Sequence, residues 1–209
     1  MVKTRVLVVD DQQMARQLFS LYIESCEKYE LAGALSSAAQ AENFLSHHAV
    51  DCIIMDVLMK DDSNGLAAAG NIKKNWPGIR IIIVTSMMEA SWMKRAQEMG
   101  IESFWYKEAS QETILGVLDR TMAGEHVYPD APPKVTLGLS DSEEFTEREL
   151  EVLRLMTAGM SNAKIAKRLN ISGNTVKSHI AHMLDKTGCE NRTQLAIEAR
   201  VRGIVVNLD

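Results

Sequence analysis

The sequence predicts an α/β domain built on a doubly wound, five-stranded parallel sheet, followed by a small all-helical domain. Three observations carry this. Short apolar runs alternate with amphipathic helical patterns five times in roughly the first 125 residues, the pattern of right-handed strand–helix–strand units. One run, Cys52 to Met55, lies between Asp51 and Asp56 without polar alternation, as a strand buried on both faces requires. From Thr146 onward the pattern is helical alone.

Arg5 to Val9 is a β-branched first strand ending at Asp10-Asp11. A helix from Gln13 to Lys28 follows, with Met14, Leu18, Leu21 and Ser25 at helical spacing. Leu31 to Leu35 reads as the second strand and Ala38 to His47 as the second helix. The third strand ends at Asp56, which its turn should expose at the carboxyl edge of the sheet. A polar loop, Lys60 to Asn64, leads to a helix opening at Gly65, with Leu66, Ala69 and Ile72 on one face and a stop at Trp76-Pro77-Gly78. Ile79 to Val84 is the fourth strand, ending at Thr85. Ala90 to Met99 is a helix closed by Gly100, and Ile101 to Tyr106 the fifth strand, ending at Lys107. Ser110 is placed to cap a last helix to Ala123.

Composition then shifts. Residues 127–144 hold Tyr128-Pro129, Pro132-Pro133 and an acidic run with little apolar periodicity, and read as a linker between a domain of residues 1–126 and one of 145–209. Thr146-Glu147-Arg148-Glu149 is a capping box that opens a helix with Leu150, Leu153 and Met156 as its buried stripe. Ser161 caps a short helix, Asn170-Ile171 makes a tight turn, and Ser172 caps a longer helix from Gly173 to Thr187. A final helix runs from Arg192 to Arg202. Two helices joined by a short turn in a small helical domain form a helix-turn-helix.

Composition narrows the class. The chain is 46% hydrophobic and 24% charged, ordinary for a soluble globular protein. It lacks a run of about 18 apolar residues, and its start passes directly into a strand, so neither a membrane span nor a signal peptide is expected. Cys26, Cys52 and Cys189 are few and far apart, which suits reduced thiols in a cytoplasmic protein. Residues 145–209 carry 10 Lys/Arg against 7 Asp/Glu, while the remainder carries 13 against 21. An acidic front and a basic rear suggest a rear that faces nucleic acid.

With strands ordered 2-1-3-4-5, Asp10, Asp11 and Asp56 converge where the order reverses. Three neighbouring carboxylates repel one another and call for a cation, and hard oxygen ligands suit Mg²⁺. A carboxylate there can also act as the nucleophile toward a phosphoryl group, with a hydroxyl from Thr85 and a charge from Lys107 for its oxygens.

On these residues, 1–126 resemble the flavodoxin-like receiver domain of two-component response regulators. The resemblance makes Asp56 the phosphoacceptor, places metal on Asp10, Asp11, Asp56 and Leu58, and puts the phosphoryl-binding and switch positions on Thr85, Phe104 and Lys107. Residues 145–209 resemble the LuxR-type helix-turn-helix domain through Thr146 to Glu149, Ile165-Ala166 and Thr175-Val176-Lys177. Together they are similar to NarL/FixJ-type transcriptional regulators. Two departures stand out: Lys60 replaces the family's usual Pro, and Gly65 lies nine residues past Asp56 rather than eight, lengthening the loop. Glu108 also stands where many receivers have Pro.

Two other readings compete. Haloacid-dehalogenase-type phosphatases share the Asp nucleophile and Mg²⁺, but need a second acid where this chain has Leu58, so no free-standing enzyme is expected. A binding module that has lost phosphorylation is the other, and the complete acidic set argues against it.

Burying Val176, Ile180 and Met183 or Leu184 leaves Asn174, Thr175, Lys177, Ser178, Ala181 and His182 free on the recognition helix. The resemblance sets Lys177, Ser178 and Ala181 facing bases. Lys164, Asn174, Thr175, His182 and Lys186 are then phosphate contacts. The reading is completed by a cognate sensor histidine kinase, double-stranded DNA, and a homodimer on activation, for which the apolar last helix is a candidate surface.

Overall fold

The computed structural model describes residues 2–205, except 62, 108, 109 and 111; Glu108 and the last residues of the predicted helical domain, 206–209, lie outside the described residues. Five strands, β1 (Thr4–Val9), β2 (Tyr29–Leu35), β3 (Cys52–Asp56), β4 (Arg80–Thr85) and β5 (Ser103–Tyr106), form the expected sheet in the order β2-β1-β3-β4-β5. All four pairings are parallel. Every residue of β3 is buried, as are Val6 to Val9 and Ile81 to Val84, so both faces of the central strands are covered. At about 1.5–3 kcal/mol for each fully buried aliphatic side chain, these strands are the main source of the domain's stability.

The helices are α1 (Gln13–Glu24), α2 (Ala41–Leu45), α3 (Gly65–Asn75), α4 (Ala90–Glu98) and α5 (Ile114–Met122). Several differ from expectation. α1 ends at Glu24 rather than Lys28, and the Met14–Leu18–Leu21 row faces solvent, with Met14 84% exposed. Its buried face is instead Phe19 and Ile23, Phe19 meeting Trp105 edge-on at 6.3 Å. α2 stops at Leu45 and is preceded by a 3₁₀ turn, Ala38–Gln40, that Ser37 caps. Ser110 does not cap α5: its Oγ accepts from the Tyr106 N–H, and Thr113 is the cap, accepting from Gly116.

The predicted linker is tied down at both ends. Val127 is buried and bridges to Ser103 beside β5, and its carbonyl accepts from Phe104 at 2.9 Å. Further on, β6 (Thr136–Leu137) and β7 (Ser140–Asp141) form a small hairpin. Leu137 is fully buried in the helical core, and the Leu139 N–H donates to Thr187 O at 3.0 Å. The described residues fall into two compact units, one made of those up to Ser86 and from Ser91 to Ala131, the other of Met87–Ala90 and those from Pro132 onward.

The second unit continues with α6 (Glu147–Thr157), α7 (Asn162–Leu169), α8 (Gly173–Thr187) and α9 (Arg192–Val201). Side chains of Thr146, Ser161, Ser172 and Asn191 each accept a backbone N–H at the helix starts, so the orphan donors there are partly satisfied. Asn170, at φ 54°, gives α7 its left-handed end and turns the chain toward α8. Val152, Leu153, Leu155 and Met156 are buried on α6, with Leu150 only partly so.

Candidate functional site

Asp10 follows β1, and Asp56 is the last residue of the neighbouring β3. Because the sheet order reverses beside β1, side chains leaving these strand ends enter one crevice. Asp10, Asp11 and Asp56 each place a carboxylate oxygen there, all within 4.8 Å of one another. Asp56 is not exposed by its turn as the sequence suggested: it is 4% accessible, and Asp10 is fully buried. Tight loop closure explains the cover. Gly65 N donates to Val57 O at 2.9 Å, and a Cβ at Gly65 would run into the Asp56 carbonyl oxygen, so the approach requires glycine.

Lys107 joins the acids. Its Nζ lies 2.6 Å from Asp10 Oδ2 and 3.3 Å from Asp56 Oδ1, and its side chain is nearly buried. Burial pushes the Asp56 carboxyl up to about 7; the Lys107 charge opposes this and the Asp10 charge adds to it. Thr85 ends β4, pairs with Tyr106 on β5, and accepts the Lys107 N–H at its carbonyl at 2.9 Å. Phe104 is buried on the same face of β5 as Tyr106, with ring centroids 5.1 Å apart. Leu58 forms a bridge with Asn64, and the oxygen it could offer a metal is its main-chain carbonyl.

Three partners of the acids were not anticipated from sequence. Gln12 N donates to Asp10 Oδ1 at 2.9 Å, and Arg16 Nη1 to the Asp10 carbonyl at 2.6 Å. Lys60 N donates to Asp11 Oδ2 at 3.0 Å, with its ammonium 3.6 Å from the same oxygen. The first had a sequence signal, since an Asp side chain commonly accepts from the N–H two residues on. The donor set fits a hard divalent cation: three carboxylates, two of them buried, bring their oxygens together beside Lys107 and Lys60.

In the helical unit, α8 buries Val176, Ile180, Met183 and Thr187. Asn174, Thr175, Lys177, Ser178, Ala181 and His182 are exposed on it, as is Lys164 on α7. Thr175 Oγ1 also lies 2.8 Å from Ser172 Oγ at the helix start. Arg148 Nη2 donates to Leu169 O at 2.7 Å, satisfying a terminal carbonyl of α7 where the chain turns.

Lys186 departs from the phosphate-contact expectation. Its Nζ pairs with the buried Glu149 at 2.8 Å, donates to Glu144 O at 2.8 Å, and lies 5.7 Å from the Phe145 ring centroid. The ammonium thus has partners within the domain. Burial pushes the Glu149 carboxyl up, but hydrogen bonds from Lys186 and Thr146 outweigh it and hold it below its ordinary value.

Comparison with known proteins agrees with both halves. The family model for the response regulator receiver domain matches residues 6–119, and that for bacterial regulatory proteins of the luxR family matches residues 143–199. Response regulator protein VraR of Staphylococcus epidermidis is 35% identical over 200 residues, covering 93% of this chain and 95% of that protein. VraR of Staphylococcus aureus is 34% identical over the same coverage. Among solved structures, a complex of the two-component response regulator RcsB with DNA matches at TM-score 0.64 and 22% identity, covering 95% of this chain and 98% of that one. RcsB from Salmonella enterica serovar Typhimurium, bound to promoter rprA in the presence of phosphomimetic BeF₃⁻, matches at TM-score 0.63 and 22% identity, covering 94% and 98%. At that identity the likeness is one of fold.

Proposed function

The chain belongs to the NarL/FixJ-type response regulators, transcription regulators that join a receiver to a LuxR-type DNA-binding domain, and from that premise we propose how its residues divide the work. Asp56 takes a phosphoryl group from a phosphohistidine of a cognate sensor kinase. Its carboxylate oxygen attacks phosphorus, the P–N bond breaks, and the imidazole leaves. Asp10, Asp11, Asp56 and the main-chain carbonyl of Leu58 would hold Mg²⁺, which when bound supplies positive charge against the phosphoryl oxygens. Lys107, already within reach of Asp56, and the Thr85 hydroxyl would each take one of those oxygens. Thr85 and Phe104 form the element whose position the new charge biases. The reading places the protein in the cytoplasm, and among the described residues no helix is long and apolar enough to cross a membrane.

In the second domain, α8 enters the major groove with Lys177, Ser178 and Ala181 toward the bases. Lys164, Asn174, Thr175 and His182 contact phosphates. A homodimer formed on activation would present two such helices to a two-fold site.

The observation that carries the reading is the convergence of three carboxylates and Lys107, from the ends of β1, β3 and β5, in one crevice. A small phosphodonor such as acetyl phosphate should label the full chain only with Mg²⁺, and Asp56→Asn should abolish labelling, as read by mass spectrometry. Equal labelling of Asp56→Asn would move the acceptor elsewhere.

A further inference from the structure

The loop that follows β3 brings a second cation to the acids. Its neck is closed by the Val57–Gly65 hydrogen bond and the Leu58–Asn64 bridge. Its outer part is clasped to the end of β2. Ser37 Oγ donates to Asp61 Oδ2, Ser63 Oγ donates to Asp61 Oδ1 at 2.6 Å, and Ala38 N donates to Ser63 Oγ at 3.2 Å. Hydrogen bonds from both serines hold the Asp61 carboxyl below its ordinary value, because they favour its charged form. Between neck and clasp, Lys60 directs its N–H and its ammonium to one oxygen, Asp11 Oδ2. Asp11 belongs to the trio, and its side chain is only 10% exposed, whereas that of Lys60 is 78% exposed.

We propose that Lys60 is a tethered competitor for the divalent cation: its ammonium neutralises Asp11 when the metal is absent and weakens Mg²⁺ binding by the charge it contributes. The inference rests on the reading of the trio as the Mg²⁺ site. The clasp supplies the placement, because a loop held at neck and rim keeps the Lys60 backbone beside Asp11. Mg²⁺ binds mainly through charge and a few carboxylates, so one positive charge beside a ligand oxygen lowers its affinity. The ammonium is solvent-facing and 3.6 Å away, which makes the pair screened rather than strong. The effect is therefore about two- to fivefold, and it fades as salt rises.

Mg²⁺ titrations by calorimetry on the full chain, without phosphodonor, test this. Lys60→Gln should tighten Mg²⁺ binding by about two- to fivefold and Lys60→Glu by more, while Lys60→Arg should stay near the parent value. The gap between the parent and Lys60→Gln should close in high salt, which a purely structural role of Lys60 would not produce. Equal affinity in the parent, Lys60→Gln and Lys60→Glu would overturn the proposal and leave the Mg²⁺ site standing. Absence of Mg²⁺ binding by the parent chain, or binding unaffected by Asp56→Ala, would overturn the site reading itself, and the competitor with it.

Discussion

At the scale of single residues, the crevice withholds from Asp56 the water that would stabilise its charge. Asp56 is carried up from an ordinary 3.8 to about 7 by burial, despite Lys107. The folded chain therefore keeps this proton until about pH 7, while the unfolded chain gives it up near pH 4, so between those values the folded state binds more protons. Stability in chelator should accordingly fall as pH rises across that window. Asp56→Asn should remove this contribution to the slope, matching the parent near the acid end and exceeding it at pH 8 by on the order of a few kcal/mol. Urea unfolding at both pH values checks this, and a parent chain as stable as Asp56→Asn at pH 8 would show that Lys107 already compensates the charge. The residues of this site were legible to unequal degree. Asp10, Asp56 and Lys107 were readable because strand ends in a parallel sheet have a known address. Lys60 and Arg16 were not, because their contacts depend on the path of a loop and the rotation of a helix, and neither leaves a periodic trace in the sequence.

At the scale of elements, the same limit appears in the α1 stripe. Met14, Leu18 and Leu21 have helical spacing, yet Phe19 and Ile23 are the buried pair, since spacing alone does not say which of two apolar rows meets the sheet. The capping box at Thr146 was legible, but its second use was not. Glu149 closes the box through Thr146 N at 2.8 Å and also anchors Lys186 near the end of α8, joining the starts and ends of two helices through one buried carboxylate. Lys186→Ala would strand that charge. Lys186 is 30% exposed, so the loss is less than for a fully buried pair, about 1–3 kcal/mol of domain stability. Because the Glu149 carboxyl is held below its ordinary value, the pairing contributes above the unfolded value and is lost as pH falls through the folded one. The deficit of Lys186→Ala should thus shrink in acid. Lys177→Ala, on the exposed face of α8, should leave stability within about 0.5 kcal/mol and lower the ratio of cognate to scrambled duplex binding. Thermal melts paired with binding curves at several salt concentrations separate the two roles, and a Lys186→Ala domain of unchanged stability would return that lysine to the phosphate contacts.

At the scale of the whole molecule, the fold class followed from the alternation of apolar runs, which is a property of many residues at once and tolerates local error, whereas alternation alone is shared by more than one strand order and the order 2-1-3-4-5 entered as a premise. The boundary of the second domain did not follow from the pattern, because a short hairpin has neither length nor periodicity to mark it. The sequence reading begins that domain at residue 145, yet Leu137 is fully buried in its core, and Ser140 Oγ donates to Lys186 O at 3.0 Å. A fragment of residues 145–209 therefore lacks one complete core side chain and leaves the end of α8 without hydrogen bonds that the hairpin supplies. Losing a fully buried leucine costs about 2–5 kcal/mol, against a total of about 5–15 kcal/mol for a typical domain. The fragment 132–209 should unfold in one cooperative transition, and 145–209 should be less stable by about 2–5 kcal/mol. Urea titrations of both fragments, followed by circular dichroism, decide it. If the two had the same midpoint, the hairpin would be an accessory lying on a core already complete. If only the longer fragment folds, the intact domain begins at Pro132, and DNA-binding measurements on the shorter piece would understate the affinity of α8 by the fraction unfolded.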